Sequence, residues 1–218
     1  MHPVSNAVGV QIDGTARIHE SALIEPGVRI GPRSSVWDGV HIRGPETEIG
    51  ADCIVGEKTH ISYGVSIADR VKINAFVYVC TAVTIEAGVM ISAGTVFTND
   101  LYPRATTPDL QTLRSSEPDE STRPTRVCEG ATIGARAVVG SDLSVGRFSM
   151  IGMGSVVTRS VGDFNLVVGH PARPVGYVCR CGQPLVRFAS GHPVDGRWEC
   201  SHCARRFHGE QGLVTELT

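Results

Sequence analysis

Four of the seven cysteines crowd the end of the chain, as Cys179-Arg180-Cys181-Gly182 and Cys200-Ser201-His202-Cys203. Thiolates in two such close pairs can supply four tetrahedral ligands, and a closed four-sulfur site is structural because it keeps no open coordination position. The crowding therefore indicates metal ligation rather than a disulfide framework. The first pair is tighter than the usual two-residue gap, which leaves His202 or His208 as alternative ligands. Cys53, Cys80 and Cys128 stand singly and read as free thiols. His41 and His60 offer another chemistry, since a neutral imidazole within hydrogen-bond reach of a reacting group can take its proton. Asn99 and Asp100 stand where a regular pattern stops, suited either to substrate contact or to a turn.

What positions these groups is a repeat. Aliphatic residues recur every six positions at Ile49, Val55, Ile61, Ile67, Ile73, Val79, Ile85, Ile91 and Phe97. The fifth position of each hexad is small or β-branched as well: Cys53, Thr59, Val65, Val71, Val77, Val83, Val89 and Thr95. An α-helix wants apolar residues three and four apart, and a two-sided strand alternates. Neither fits, whereas repeats of this length point to a β-helix. The register extends back through Ile42, Val36, Ile30, Ile24 and Ile18 to Ile12, and resumes at Val127, Ile133, Val139, Val145, Ile151 and Val157. Glycines after the aliphatic residue, as in Val55-Gly56 and Ile133-Gly134, suit corners where a Cβ would be strained. Three hexads make one triangular coil, so residues 12 to 97 fill about five coils and 127 to 162 about two more.

Counting along this register stacks His41, His60 and Tyr78 in one column with Val96 above, at the roughly 4.8 Å step of paired strands. Trp37, Gly56, Asn74 and Ser92 form a neighbouring column. The ladder of two histidines and a tyrosine rises to the Thr98-Asn99-Asp100 exit and forms a candidate acceptor pocket. Residues 98–126 break the register with Pro103, Pro108, Pro118 and Pro124, and an insertion this long in a compact domain is usually functional or disordered.

The bulk numbers agree. The 218 residues suit one substantial domain and a small appendage. Apolar residues make up 41% and aromatics only 6%, as a narrow prism lined by Ile and Val requires. A formal charge of −2 argues against nucleic acid or acidic membranes as electrostatic partners. No segment approaches the roughly 18 apolar residues that cross a bilayer, and residues 1–9 have no basic region followed by an apolar run, so the cytoplasm is the expected compartment. Residues 1 to 11 read as a lead-in, and His2, His19 and His192 as ordinary polar residues.

The hexads resemble those of the left-handed parallel β-helix acyltransferases, and handedness comes from that resemblance alone. Over residues 15 to 178 the chain is similar to sugar-nucleotide N-acetyltransferases acting on 3-amino or 4-amino sugars. The matching residues are Val36-Trp37, His41, Val71-Lys72-Ile73, Val83-Thr84-Ile85-Glu86, Val96-Phe97-Thr98-Asn99, Pro103-Arg104, Gly130 to Gly134 and Val167 to Arg173. His170 stands where the family usually has Asn, and Ala75-Phe76-Val77 and Thr81-Ala82 replace its usual Asn-Asn-Val and Glu-Gly. The resemblance implies acetyl transfer from acetyl-CoA to the amine of a nucleotide-linked sugar, in a homotrimer with sites between subunits. The cysteine tail in turn resembles the two knuckles of a zinc ribbon.

The expectation is thus an all-β chain. Residues 1–174 form a left-handed parallel β-helix with its loop insertion at 98–126, and 175–218 form a zinc-ribbon-like domain. Within it His41, His60 and Asn99 are candidate catalytic residues, and Asn74, Tyr78, Asp100 and Arg104 candidate acceptor contacts. Gly152, Met153, Gly154 and Ser155 would admit a pantetheine arm, with Arg159 and Arg173 meeting the CoA phosphates. Cys179, Cys181, Cys200 and Cys203 would hold structural zinc. The segment 163–174 is expected to leave the prism, and Gly176–Val178, Leu185–Phe188 and Arg197–Glu199 to form strands. Competing functions are an O-acetyltransferase on a sugar hydroxyl, a γ-carbonic anhydrase-like metalloenzyme and a non-catalytic scaffold.

Overall fold

In the computed structural model, which describes residues 9–189 and 191–217, seven coils stack into a three-sided parallel β-helix. His2 and most of the expected lead-in lie outside the described residues. The first coil is built from Gln11–Ile12, Arg17–Ile18 and Leu23–Ile24, and the seventh from Leu143–Val145, Met150–Ile151 and Val156–Val157. Five coils precede the insertion and two follow it, as the hexad count requires.

Each strand is two or three residues long, so the hexad phase alone decides what faces inward. Ile42, Ile61, Ile91, Ile133 and Val139 are fully buried and Ile73 nearly so, each with an outward neighbour before it. Burying one such side chain contributes roughly 1.5–3 kcal/mol. The fifth-position column is buried too, and its polar members spend their hydroxyls on the backbone. Thr59 Oγ1 donates to the Asn74 carbonyl at 3.0 Å, and Thr95 Oγ1 to that of Ser92 at 2.8 Å. Coils pair in register, with Tyr78 over His60 and His60 over His41.

A Cβ would be strained at the corner glycines, as their positions suggest. Gly56 and Gly134 lack positive φ; a Cβ on Gly56 would lie 2.6 Å from the Asn74 carbonyl carbon, and one on Gly134 2.5 Å from the Met153 nitrogen. Close approach of the next coil, not left-handed backbone, selects them. Left-handed φ falls on other corner residues, including Arg33, Asp52, Lys58 and Arg70.

The insertion ends two residues early, because Thr125–Val127 already pairs with Val83–Ile85. It folds back on itself through bridges Asp100↔Thr122 and Thr106↔Leu113. The segment after Val161 does not leave the prism as expected. Asn165–Gly169 adds an eighth, parallel rung to the second face, with Leu166 and Val167 buried and the Gly152 amide donating to the Val167 carbonyl at 2.8 Å. Val167 extends the aliphatic column above Ile151, Leu166 stacks on the outward Met150, and the strand satisfies an edge otherwise left unpaired. Ala172–Val178 then returns antiparallel, followed by Pro184–Arg187, so the expected 174/175 boundary falls inside a strand. A separate three-stranded sheet comprises Gly196–Glu199, Arg206–Glu210 and Leu213–Leu217.

Truncating one inward rung should leave a void between neighbouring coils. Ile61→Ala is expected to destabilise by about 2–5 kcal/mol, whereas outward Lys72→Ala should stay within about 0.5 kcal/mol; urea unfolding midpoints of the two variants against the parent check this.

Candidate active site

The third face carries the outward column Leu23, His41, His60, Tyr78, Val96, Val138 and Val156. Its polar rungs touch. The His41 ring stands edge-on to His60 with centroids 4.9 Å apart, and His60 stacks nearly parallel on Tyr78 at 5.3 Å. The His41 Nε2 lies 2.7 Å from Glu25 Oε1, and the Gly44 amide donates to Glu25 Oε2 at 3.2 Å. Partial burial works to raise the Glu25 carboxyl, but the bonds from His41 and Gly44 and the nearby positive groups hold it below the usual carboxylate range. An ionised carboxylate only accepts, so the Nε2 of His41 is assigned the proton. Burial depresses His60, helped by the positive fields of His41 and Arg43, so at neutral pH its ring is an uncharged acceptor of protons.

At the corner where the third face turns back toward the first, a polar cavity of about 250 Å³ is bordered by Arg43, Tyr63, Tyr78, Asn99, Asp100 and Arg104 among others, with residues 114–122 of the insertion on its far side. The Tyr63 hydroxyl reaches the Ser116 carbonyl at 3.5 Å, and the Arg43 guanidinium lies 5.1 Å from the Tyr63 ring centre. Asn99 anchors the insertion through its carbonyl, which accepts from the Arg123 amide at 2.8 Å, leaving its side chain for the cavity. Burial pushes the Cys80 thiol, also on the wall, up to about 12. A thiol so high is not a nucleophile at neutral pH.

Of the expected acceptor residues, Tyr78, Asn99, Asp100 and Arg104 meet at this cavity, His60 lies against Tyr78, and His41 is one rung further down. Asn74 is not with them. It belongs to the column Trp37, Gly56, Asn74, Ser92, Gly134 and Gly152 on the opposite corner of the third face. That opposite corner carries the expected donor residues. Met153 is 84% exposed and Gly154 adopts φ +67° over open space, but Ser155 is buried and its hydroxyl accepts the Gly169 amide at 3.1 Å, a role internal to the fold. Arg159 and Arg173 are exposed. Glu25, Arg43 and Tyr63 were not among the sequence candidates. The signal for the first two lay one step along the register, where Glu25 stacks directly beneath Arg43.

The tail brings Cys179, Cys181, Cys200 and Cys203 together with all four sulfurs within 4.8 Å of one another, Cys179 to Cys203 at 3.4 Å and Cys181 to Cys200 at 3.6 Å. Sulfurs around tetrahedral zinc with bonds near 2.3 Å stand about 3.8 Å apart, so the four thiols fit the ion. Amides of Cys203 and His202 point at the Cys200 sulfur and pull its thiol down to about 6, whereas burial raises the thiol of Cys179. Neither His202 nor His208 joins the cluster.

Residues 46–81 and 124–159 match the hexapeptide repeat of succinyl-transferase. Over 98 residues the chain is 40% identical to the dTDP-3-amino-3,6-dideoxy-alpha-D-galactopyranose 3-N-acetyltransferase of Aneurinibacillus thermoaerophilus, a match covering 45% of this chain and 47% of that protein. It is 29% identical over 171 residues to the bifunctional protein GlmU of Sphingopyxis alaskensis, covering 69% of this chain and 34% of GlmU. The chain thus spans about half or less of the length of these relatives. Among solved structures, AntD, an N-acyltransferase from Bacillus cereus in complex with dTDP and 3-hydroxybutyryl-CoA, superimposes with a TM-score of 0.54 at 18% identity, covering 80% of this chain and 86% of AntD. At that identity the likeness speaks for the fold. No helix of the described residues is long and apolar enough to cross a membrane.

His60 should titrate below the ordinary imidazole value of about 6.5, and His41→Gln should move its midpoint back up by removing a positive neighbour; NMR titration of the ring protons reads both. Between the depressed folded value and the unfolded one the unfolded chain binds more protons, so His60 makes folding less favourable as pH falls through that window. His60→Phe should flatten the dependence of the unfolding midpoint there.

Proposed function

We propose that the chain is an acetyl-CoA-dependent N-acetyltransferase acting on the amino group of a nucleotide-linked amino sugar. The observation that carries this is the 40% identity to a dTDP-amino-sugar 3-N-acetyltransferase over 98 residues. The two corners of the third face support it, one with a polar cavity and the other with an open glycine corner, separated by a neutral histidine on a tyrosine.

On this reading Asn99, Asp100 and Arg104 hold the sugar, and Tyr78 orients it. The amine nitrogen attacks the thioester carbonyl carbon, the new C–N bond forms as the C–S bond breaks, and the amine proton passes to neutral His60 while CoA leaves as thiolate, which then collects a proton. His41, tied to Glu25, supports the His60 ring from below. Protonated Cys80 is unsuited to carrying the acyl group, so transfer is direct. Arg159 and Arg173 meet the CoA phosphates, and the zinc ion on the four tail thiolates is structural. Leu23, Val96, Val138 and Val156 offer apolar surface above and below the polar rungs, suited to a second copy; heterologous contacts of this kind close in a homotrimer about a threefold axis. Seven cysteines with no disulfide among those described suit a reducing cytoplasm.

The test is release of free CoA from acetyl-CoA with a dTDP- or UDP-linked 3-amino or 4-amino hexose, with the product checked by mass. His60→Ala should lower kcat by about 10²–10⁴-fold with the KM for acetyl-CoA little changed. Arg173→Ala should instead raise that KM by about tenfold or more through loss of charge-assisted bonds. Turnover with hydroxyl sugars alone would move the assignment to O-acetylation, and absence of acetyl-CoA binding would remove it.

A further inference from the structure

A stack of parallel coils has no natural end. At the last coil the core rungs Val145, Ile151 and Val157 have no coil above them, and the upward backbone groups need partners. Three features cover that end. Val161 bridges Val145, and the Gly146 amide donates to its carbonyl at 2.9 Å. Asn165–Gly169 pairs with Met150–Ile151. Phe164, buried to 4% exposure, packs its ring 5.7 Å from Phe148 of the last coil and 5.3 Å from Phe207 of the tail.

The tail is tied to these same residues. The Ala172–Val178 strand pairs with the capping rung, the Val178 amide donates to the Phe164 carbonyl at 2.8 Å, and the strand runs without a linker into Cys179. Cys179 and Cys200 are themselves buried in the apolar cluster of Phe164, Tyr177, Phe188, Phe207 and Val214. Arg180, between two of the thiols, lies 4.2 Å from the centre of the Phe148 ring. Phe207, however, belongs to the sheet of Gly196–Glu199, Arg206–Glu210 and Leu213–Leu217, which shares no strand pairing with the sheet that covers the coil. The Arg180–Glu216 ion pair and the apolar contact join the two sheets, and an exposed pair of this sort contributes little. The remaining tie is the thiol cluster, two cysteines from each side.

We propose that the four-cysteine centre is a zinc clamp that closes the open end of the β-helix, holding Phe207 on Phe164 so that metal occupancy and order of the last coil form one equilibrium. Four soft thiolates in tetrahedral array select zinc, and an apolar cluster this small relies on metal for its folding free energy. The clamp does not depend on the transferase reading, because it concerns the end of the stack and not the third face.

The experiment uses the full chain under reducing conditions. Elemental analysis should give one zinc per chain. Hydrogen exchange read by mass spectrometry before and after chelation should then lose protection by about tenfold or more in the tail and also in Leu143–Val145, Met150–Ile151 and Asn165–Gly169. The first five coils should be unchanged, and added zinc should restore the rest. Cys181→Ser should reproduce the chelated state. Phe164→Ala, with all four thiols intact, should keep zinc while uncoupling its removal from the last coil. Loss of protection confined to residues 179–217, a Phe164→Ala protein still fully coupled, or a reduced chain that takes up no zinc would each overturn the clamp.

Discussion

The interaction on which everything else rests is the interchain-like ladder inside a single chain, in which each coil donates its amides to the carbonyls of the coil beside it. The Trp37 amide bonds the Val55 carbonyl, Gly56 that of Ile73, Asn74 that of Ile91 and Ser92 that of Ile133, all at 2.8 to 3.0 Å. Because the ladder is in register, every outward residue is stacked on its counterpart a strand spacing away. Chemistry on such a scaffold is therefore arranged in columns. One column gives the His41, His60 and Tyr78 ladder, the next corner gives Arg43, Ser62 and Cys80 at the cavity wall, and the opposite corner gives the glycines that let coils approach.

Stacking also explains how neighbouring histidines come to differ. His41 and His60 occupy equivalent positions one coil apart, yet only His41 reaches a carboxylate, since Glu25 sits two residues past Leu23 on the coil below. His60 has an aromatic ring on either side and no carboxylate bond, so burial and the charges near it favour its neutral form. A one-coil displacement thus separates a ring paired to an anion from a ring suited to accept a proton, the kind of divergence that assigns acid and base roles in a site.

What was legible in the sequence follows from the same rule. Hexad phase is a property of single residues spaced by a constant, so the coils, the inward columns and the His41, His60, Tyr78 and Val96 stack could be counted without coordinates. Side-chain reach across corners is not periodic, and there the count failed. Asn74 was grouped with the cavity residues because its column is adjacent in sequence, but it occupies the other corner of the face. Glu25 was passed over because a carboxylate after an aliphatic rung is ordinary until the histidine above it bends toward it. The glycine corners were located correctly, with close approach rather than left-handed backbone as their cause. In the tail the cysteines were plain, whereas the last hairpin was missed although Gln211-Gly212, both at positive φ, is a two-residue turn of the type that joins such strands.

The ending of the stack shows what the repeat leaves undetermined. Within the coils each hexad is satisfied by its neighbours, so the pattern holds no information about where to stop, and continuation past Val157 would have been equally consistent with it. Termination requires a different kind of sequence, one that pairs with the last rung on one side and turns away on the other. Val167 continues the aliphatic column while Gly169 to Ala172 reverses the chain, and the returning strand has its far edge covered by Pro184–Arg187. Large aromatics, scarce along the prism, concentrate here because a flat end needs broader covering than a narrow interior. Phe148, Phe164, Tyr177, Phe188, Trp198 and Phe207 all gather at this junction. The thiol cluster lies within the same covering layer, so the element that ends the β-helix and the element that gathers the cysteines are physically one.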